Sequence, residues 1–168
     1  ALRLYSQKNE NRLTRIWDMP HVIGQKFPAA SFTAETKLNF LPRYSGERAG
    51  LVVLGMDYFS VYILNENDKF YIVLLRCIDA NKNGKEEVLE KIQIDKNTAI
   101  LKLNVNPNAG CIFSFSTDGI NYKRIGDIYT AKKGLWVGAK VALFSSAPDN
   151  SDSTGYTDFE YFRISDCR

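Results

Sequence analysis

Histidine is nearly missing from this chain. His21 is the only one in 168 residues, so a Ser-His-Asp or Cys-His hydrolytic arrangement would have to use it. It stands between Pro20 and Val22 at the start of a strand-like run, and nothing in the sequence picks out its partners. Cysteine is scarce too. Cys77, Cys111 and Cys167 are odd in number, without metal-type spacing; Cys77 and Cys111 lie in apolar runs, which predicts buried free thiols. No apolar run approaches the ~18 residues of a membrane span, so no membrane partner is expected. Charge of one sign is lacking: 22 Lys and Arg against 19 Asp and Glu give +3, and the two signs interleave, which argues against nucleic acid. Amphipathic helical periodicity is absent. A signal peptide is absent as well: the chain opens Ala-Leu-Arg-Leu-Tyr, already alternating like a strand, which predicts a piece cut from a longer protein.

What is present is aromatic and strand-like. Ten Phe, nine Tyr and two Trp suit strands, and they also suit a surface that stacks on sugars. The stretch Glu47-Arg-Ala-Gly-Leu-Val-Val-Leu-Gly-Met-Asp-Tyr58 is apolar from Ala49 to Met56. Its length and its Val and Leu content read as a strand buried on both faces, with Gly50 and Gly55 marking close approach by other backbone. From Phe32 to Phe40 the alternation is clean: Phe32, Ala34, Thr36, Leu38 and Phe40 share one face, and Thr33, Glu35, Lys37 and Asn39 the other. About a dozen such segments follow one another, with turns at Asn65–Asp68, Asp79–Gly84 and Pro107–Gly110 and a hairpin signal at Asp118-Gly119. The polar segments Gln7–Arg15 and Pro148–Gly155 read as loops. The whole chain, 1–168, is expected to form one all-β sandwich of jelly-roll type with about a dozen antiparallel strands.

Three constellations could carry chemistry. Paired carboxylates serve glycosidases, but none of the acids falls in a distinctive motif, so no catalytic residue is assigned. Asp79, Asn81, Asn83 and Glu90, arranged around Gly84, satisfy the spacing of a twelve-residue calcium loop and make a structural Ca²⁺ conceivable. Against it, both flanks read as strands rather than helices, and the usually apolar eighth position is Glu86. The same residue types fill any hairpin turn. Aromatic residues form the third. If Leu135–Ser145 is one strand, Trp136, Lys140 and Phe144 share a face opposite Val137, Ala139, Val141 and Leu143. Tyr58, Tyr62, Tyr71 and Arg76 would join them from neighbouring strands as ligand-binding or domain-docking residues. Rings cover the apolar faces of pyranoses while charged and amide groups bond the hydroxyls.

The stretch Gly46–Tyr58 closely resembles the C-terminal concanavalin A-like module of family 43 glycoside hydrolases, the β-xylosidases and α-arabinofuranosidases. The likeness continues in order through Leu2–Tyr5, Gln25-Lys-Phe-Pro28, Phe32–Leu38, Phe115–Gly119, Trp136–Val141 and Gly155–Ile164. It implies a jelly roll that follows a five-bladed propeller carrying the catalytic acids, in a secreted or periplasmic parent. It further implies packing on that propeller, with a loop aromatic beside the substrate pocket at the place of Leu135-Trp136. Related modules are also classed as xylan-binding. Tyr161 departs from the pattern, standing where relatives often carry Trp, and its hydroxyl needs a partner if buried.

Two readings follow. One is a non-catalytic module that binds xylan-type oligo- or polysaccharide or frames the catalytic pocket; the other is an interaction domain that docks the propeller. An exposed row of rings would favour binding, and a flat apolar patch docking.

Overall fold

The computed structural model describes residues 1–8, 15–149, 151–152 and 154–166. Twelve strands are found among them: β1 (Leu2–Tyr5), β2 (Ile23–Lys26), β3 (Phe32–Leu41), β4 (Arg48–Leu54), β5 (Tyr58–Glu66), β6 (Lys69–Cys77), β7 (Glu86–Ile94), β8 (Thr98–Val105), β9 (Gly110–Ser116), β10 (Lys123–Thr130), β11 (Lys140–Ser146) and β12 (Tyr156–Ser165). They form two antiparallel six-stranded sheets. Sheet A has the order β1-β12-β3-β8-β9-β10, and sheet B the order β2-β11-β4-β5-β6-β7. Cys167 and most of the Gln7–Arg15 segment lie outside the described residues.

Alternation builds the space between the sheets. Phe32, Ala34, Leu38 and Phe40 of β3 turn inward, joined by Leu101 and Leu103 of β8 and Phe113 of β9. Leu51 and Val53 of β4, Val61 and Ile63 of β5, and Ile72 and Leu74 of β6 meet them from sheet B. Burying such aliphatic and aromatic side chains gives roughly 1.5–3 kcal/mol each. The half-exposed partners in β3, among them Thr33, Glu35 and Lys37, face outward on sheet A.

The β4 strand sits inside sheet B, and both of its faces are covered. Its second face belongs to another apolar cluster, made of Val52, Tyr58, Tyr62, Val73, Ala142 and Phe144 and capped by Ile16. A 3-10 turn at Ile16–Asp18 brings that isoleucine over the sheet. Arg15 ties the turn down by donating Nη1–H to the carbonyls of Ala80 (3.1 Å) and Gly84 (2.9 Å). The glycines behave as their place in the sequence predicts. A Cβ on Gly50 would stand 2.6 Å from Tyr62 Cα across the ladder, and one on Gly55 would collide with the Lys132 carbonyl.

Two local expectations change. Asp118-Gly119 lies in a longer loop, because Lys123 pairs with Phe115; Asp118 Oδ1 instead collects the N–H groups of Ile120 and Asn121, each at 2.8 Å. The tight hairpin is Asn67-Asp68, where both residues take left-handed φ values of 52° and 61° between the paired Glu66 and Lys69. Leu135–Ser145 is not one strand. Pairing with β4 begins only at Lys140, so Leu135–Gly138 forms a loop between β10 and β11.

Candidate functional site

That loop carries two exposed large apolar side chains beside a cleft. Trp136 is 93% exposed and its neighbour Leu135 60%. A cleft of about 240 Å³ lies beside them, lined by Trp17, Leu54, Gly55 and Lys140 together with the loop itself. The chain leading into the loop is tied to the end of β4: Met56 N–H donates to the Lys133 carbonyl at 3.0 Å, and Lys132 Nζ pairs with the buried Asp57 at 2.7 Å. The loop presents its indole to solvent from this bonded base. Trp17, which joins the cleft from the 3-10 turn Ile16–Asp18, carries no signal in the sequence that marks it for this place.

The other expected aromatics do not form an open platform with Trp136. Tyr58 and Phe144 are fully buried and Tyr62 nearly so. They do share the outer face of sheet B, as alternation requires, but Ile16 and its neighbours cover that face. Tyr71 lies on the same face, with Lys91 Nζ 4.3 Å from its ring centroid. Arg76 points to the opposite side of β6 and pairs with Glu87 at 2.9 Å.

A polar centre that the sequence did not reveal sits within this covered face. Arg48 and Glu86, with side chains only 13% and 15% exposed, pair at 2.8 Å. Glu86 Oε1 also accepts the Tyr58 hydroxyl at 2.6 Å and the Ile16 N–H at 2.8 Å. Burial, followed by the Glu86 charge, raises the Tyr58 pKa far above the usual phenol value. The carboxylate thus fastens the covering segment to the sheet.

The calcium spacing does not close into one cluster. Asp79 and Asn83 flank a single 3-10 turn, Ala80–Lys82. A register shift in β7 between the partners of Leu74 and Leu75 puts Glu90 on the core-side face with Leu74, opposite the face of Glu86 and Val88. There Glu90 Oε2 accepts the Gly126 N–H at 2.9 Å. Asp158 is held by Arg3 in a two-bond ion pair, at 2.7 and 2.8 Å. Among the described residues no group of three His, Cys, Asp or Glu converges as a metal site. His21 is exposed in the turn before β2.

Two facing antiparallel sheets of six strands define a concanavalin A-like sandwich. The chain belongs to the family of the beta-xylosidase C-terminal concanavalin A-like domain, whose model matches residues 1–165. A beta-xylosidase of Formosa agariphila is 26% identical over 93 residues, covering 51% of this chain and 15% of that protein. Among solved structures, a bifunctional GH43-CE protein of Bacteroides eggerthii superposes with a TM-score of 0.85 at 24% identity, over 99% of this chain and 21% of its own. The GH43 protein BlXynB of Bacillus licheniformis, as a mutant, gives a TM-score of 0.80 at 20% identity, over 99% of this chain and 33% of its own. The chain spans a third or less of each of these proteins.

Proposed function

We propose that this chain is the non-catalytic accessory module of a xylan- or arabinoxylan-degrading family 43 glycoside hydrolase, and that its Leu135-Trp136 loop frames the pocket of the catalytic propeller. One observation carries the reading: an indole 93% exposed beside a leucine 60% exposed, on a loop anchored to the core. Adjacent large apolar side chains left in water mark a surface that something else covers. The burial of Tyr58, Tyr62 and Phe144 supports framing over an autonomous glycan platform on sheet B.

The test is Trp136→Ala in the intact hydrolase that carries this module, assayed on xylobiose. A fall in kcat/KM of about tenfold, which is 1.4 kcal/mol of transition-state stabilisation, with an unchanged Tm is expected. Unchanged kinetics would sink the framing role. Calorimetric titration of the separate chain with xylohexaose and soluble arabinoxylan decides the other reading: saturable binding that disappears in Trp136→Ala would make the loop an autonomous glycan platform instead.

A further inference from the structure

Two lysines face each other beside the Trp136 loop. Lys140 opens β11 and stands directly opposite Lys26, the last residue of β2, with Leu54 as its partner on the other side. Directly opposed residues of an antiparallel pair share a face, with Cβ atoms about 5 Å apart, and like charges placed so are destabilising. Both lysines are exposed, and neither pairs with an acid among the described residues. Lys133, at the base of the loop, is exposed and without an ion pair in the same sense. The acids of the neighbouring segments are already committed: Asp57 to Lys132 at 2.7 Å, Asp18 to Arg15 at 2.7 Å and Asp79 to Lys82 at 4.0 Å. Three positive charges are left over beside one loop, as many as the net charge of the whole chain.

The cleft between them is apolar. Trp17, Leu54, Leu135, Trp136 and Val137 line it with three glycines, and Lys140 is its one polar side chain. A polyhydroxylated ligand needs several convergent donors and acceptors, which a single ammonium group does not supply. Its volume of about 240 Å³ lies below the roughly 300–1,000 Å³ of ligand pockets; one inserted apolar side chain suits it better. A second copy of this chain is a poor occupant, because a two-fold contact through this patch would set its lysines against themselves.

An apolar side chain ringed by carboxylates relieves both features. Protein interfaces commonly seat an apolar anchor in a pocket and keep charge on the rim, where complementary sign fixes orientation and choice of partner. We propose that Lys26, Lys133 and Lys140 form the electrostatic rim of the surface around Trp136, and that its occupant is a carboxylate-bearing patch with an apolar anchor on the catalytic domain of the parent hydrolase. The inference rests on the reading that the Leu135-Trp136 loop faces that domain.

Amide hydrogen exchange, followed by mass spectrometry on the separate chain and on the intact hydrolase, tests it. Exchange across residues 23–27 and 132–140 should be slower in the intact hydrolase by about tenfold or more. Lys26→Glu/Lys140→Glu should remove most of that difference. Raising NaCl from about 0.1 M to about 1 M, which shortens the Debye length from about 10 Å to about 3 Å, should do the same to the unmodified protein. Lys26→Glu alone sets an acid opposite Lys140, so the Tm of the separate chain should rise by about 2 °C while the protection in the hydrolase falls. A pair with only a local structural role would not move the two readouts in opposite directions. Protection that survives both charge reversal and salt overturns the acidic partner, and equal exchange in the chain and the hydrolase overturns the docking surface. Retention of the separate chain by glucuronoxylan, lost in the double variant, also overturns it, since the lysines then serve an anionic glycan. The kinetics of Trp136→Ala report the framing role separately: the lysine rim can fail while framing stands, and unchanged kinetics can accompany salt-sensitive protection.

Discussion

Tyr161 and Glu35 meet at 2.9 Å across β12 and β3, the Tyr161 hydroxyl donating to Oε1, while Tyr122 donates to the other oxygen at the same distance. Burial, then the bond to Glu35 and its charge, pushes both phenols up to about 12. A folded pKa above the ordinary value of 10 contributes stability that is complete below pH 10 and is lost as pH rises from there through about 12. Alkaline titration followed at 295 nm should therefore show Tyr122 and Tyr161, like the buried Tyr58 and Tyr62, ionising well after the exposed tyrosines. Glu35→Gln should bring Tyr122 and Tyr161 down. Normal titration of Tyr122 and Tyr161 in the unmodified protein would refute the hub.

The Arg48–Glu86 pair gives a second prediction. Arg48→Met strands a carboxylate that is only 15% exposed and should cost about 3–5 kcal/mol in urea unfolding. Replacing both by apolar residues of similar size should recover most of the loss. A single-variant cost under about 1 kcal/mol would show that the pair behaves like a surface ion pair.

Two glycines near the Trp136 cleft should respond oppositely to alanine. Gly55→Ala drives a methyl into the Lys132 carbonyl, and rigid backbone yields little, so a loss of about 3 kcal/mol is expected. Gly138 has nothing within 4 Å of its added Cβ. Gly138→Ala should be neutral or stabilising by up to about 1 kcal/mol. Equal effects in thermal unfolding would contradict the packing described.

Trp136→Ala should change the stability of the separate chain by less than about 0.5 kcal/mol, because the indole contributes almost no buried area. A larger loss on chemical denaturation would mean that the ring packs within the module.

Period-two patterning made most of the sandwich legible. Phe32–Phe40 and Ala99–Val105 show their inward faces outright, and both strands appear where the alternation places them. The doubly buried strand at Ala49–Leu54 follows from its continuous apolar run. Pattern failed where distant residues decide the outcome. Extending alternation from Phe144 back to Trp136 ignored that only pairing with β4 makes a strand, and that pairing stops at Lys140. Tyr58, Tyr62 and Phe144 were placed on the right face, but nothing local to them says that Ile16 covers it. The calcium spacing counted residues along a chain whose β7 bulge changes which face each residue occupies. Asn65 read as an ordinary turn amide, since its burial goes with bonds to the distant Tyr44, Gly46 and Glu47.

The bond from Gly126 to Glu90 bears on how one flank of the sandwich resists strand addition. Strands β7 and β10 are the outermost of their sheets on one flank, and an outermost strand offers unpaired backbone on which a neighbouring molecule could build. Here β10 is broken by a bulge at its left-handed Gly126, and the carboxylate of β7 takes the amide that the bulge frees. The kink and the peg spoil the flat template that strand-on-strand growth requires. A flank that would otherwise nucleate aggregates is closed by one acidic side chain and one glycine.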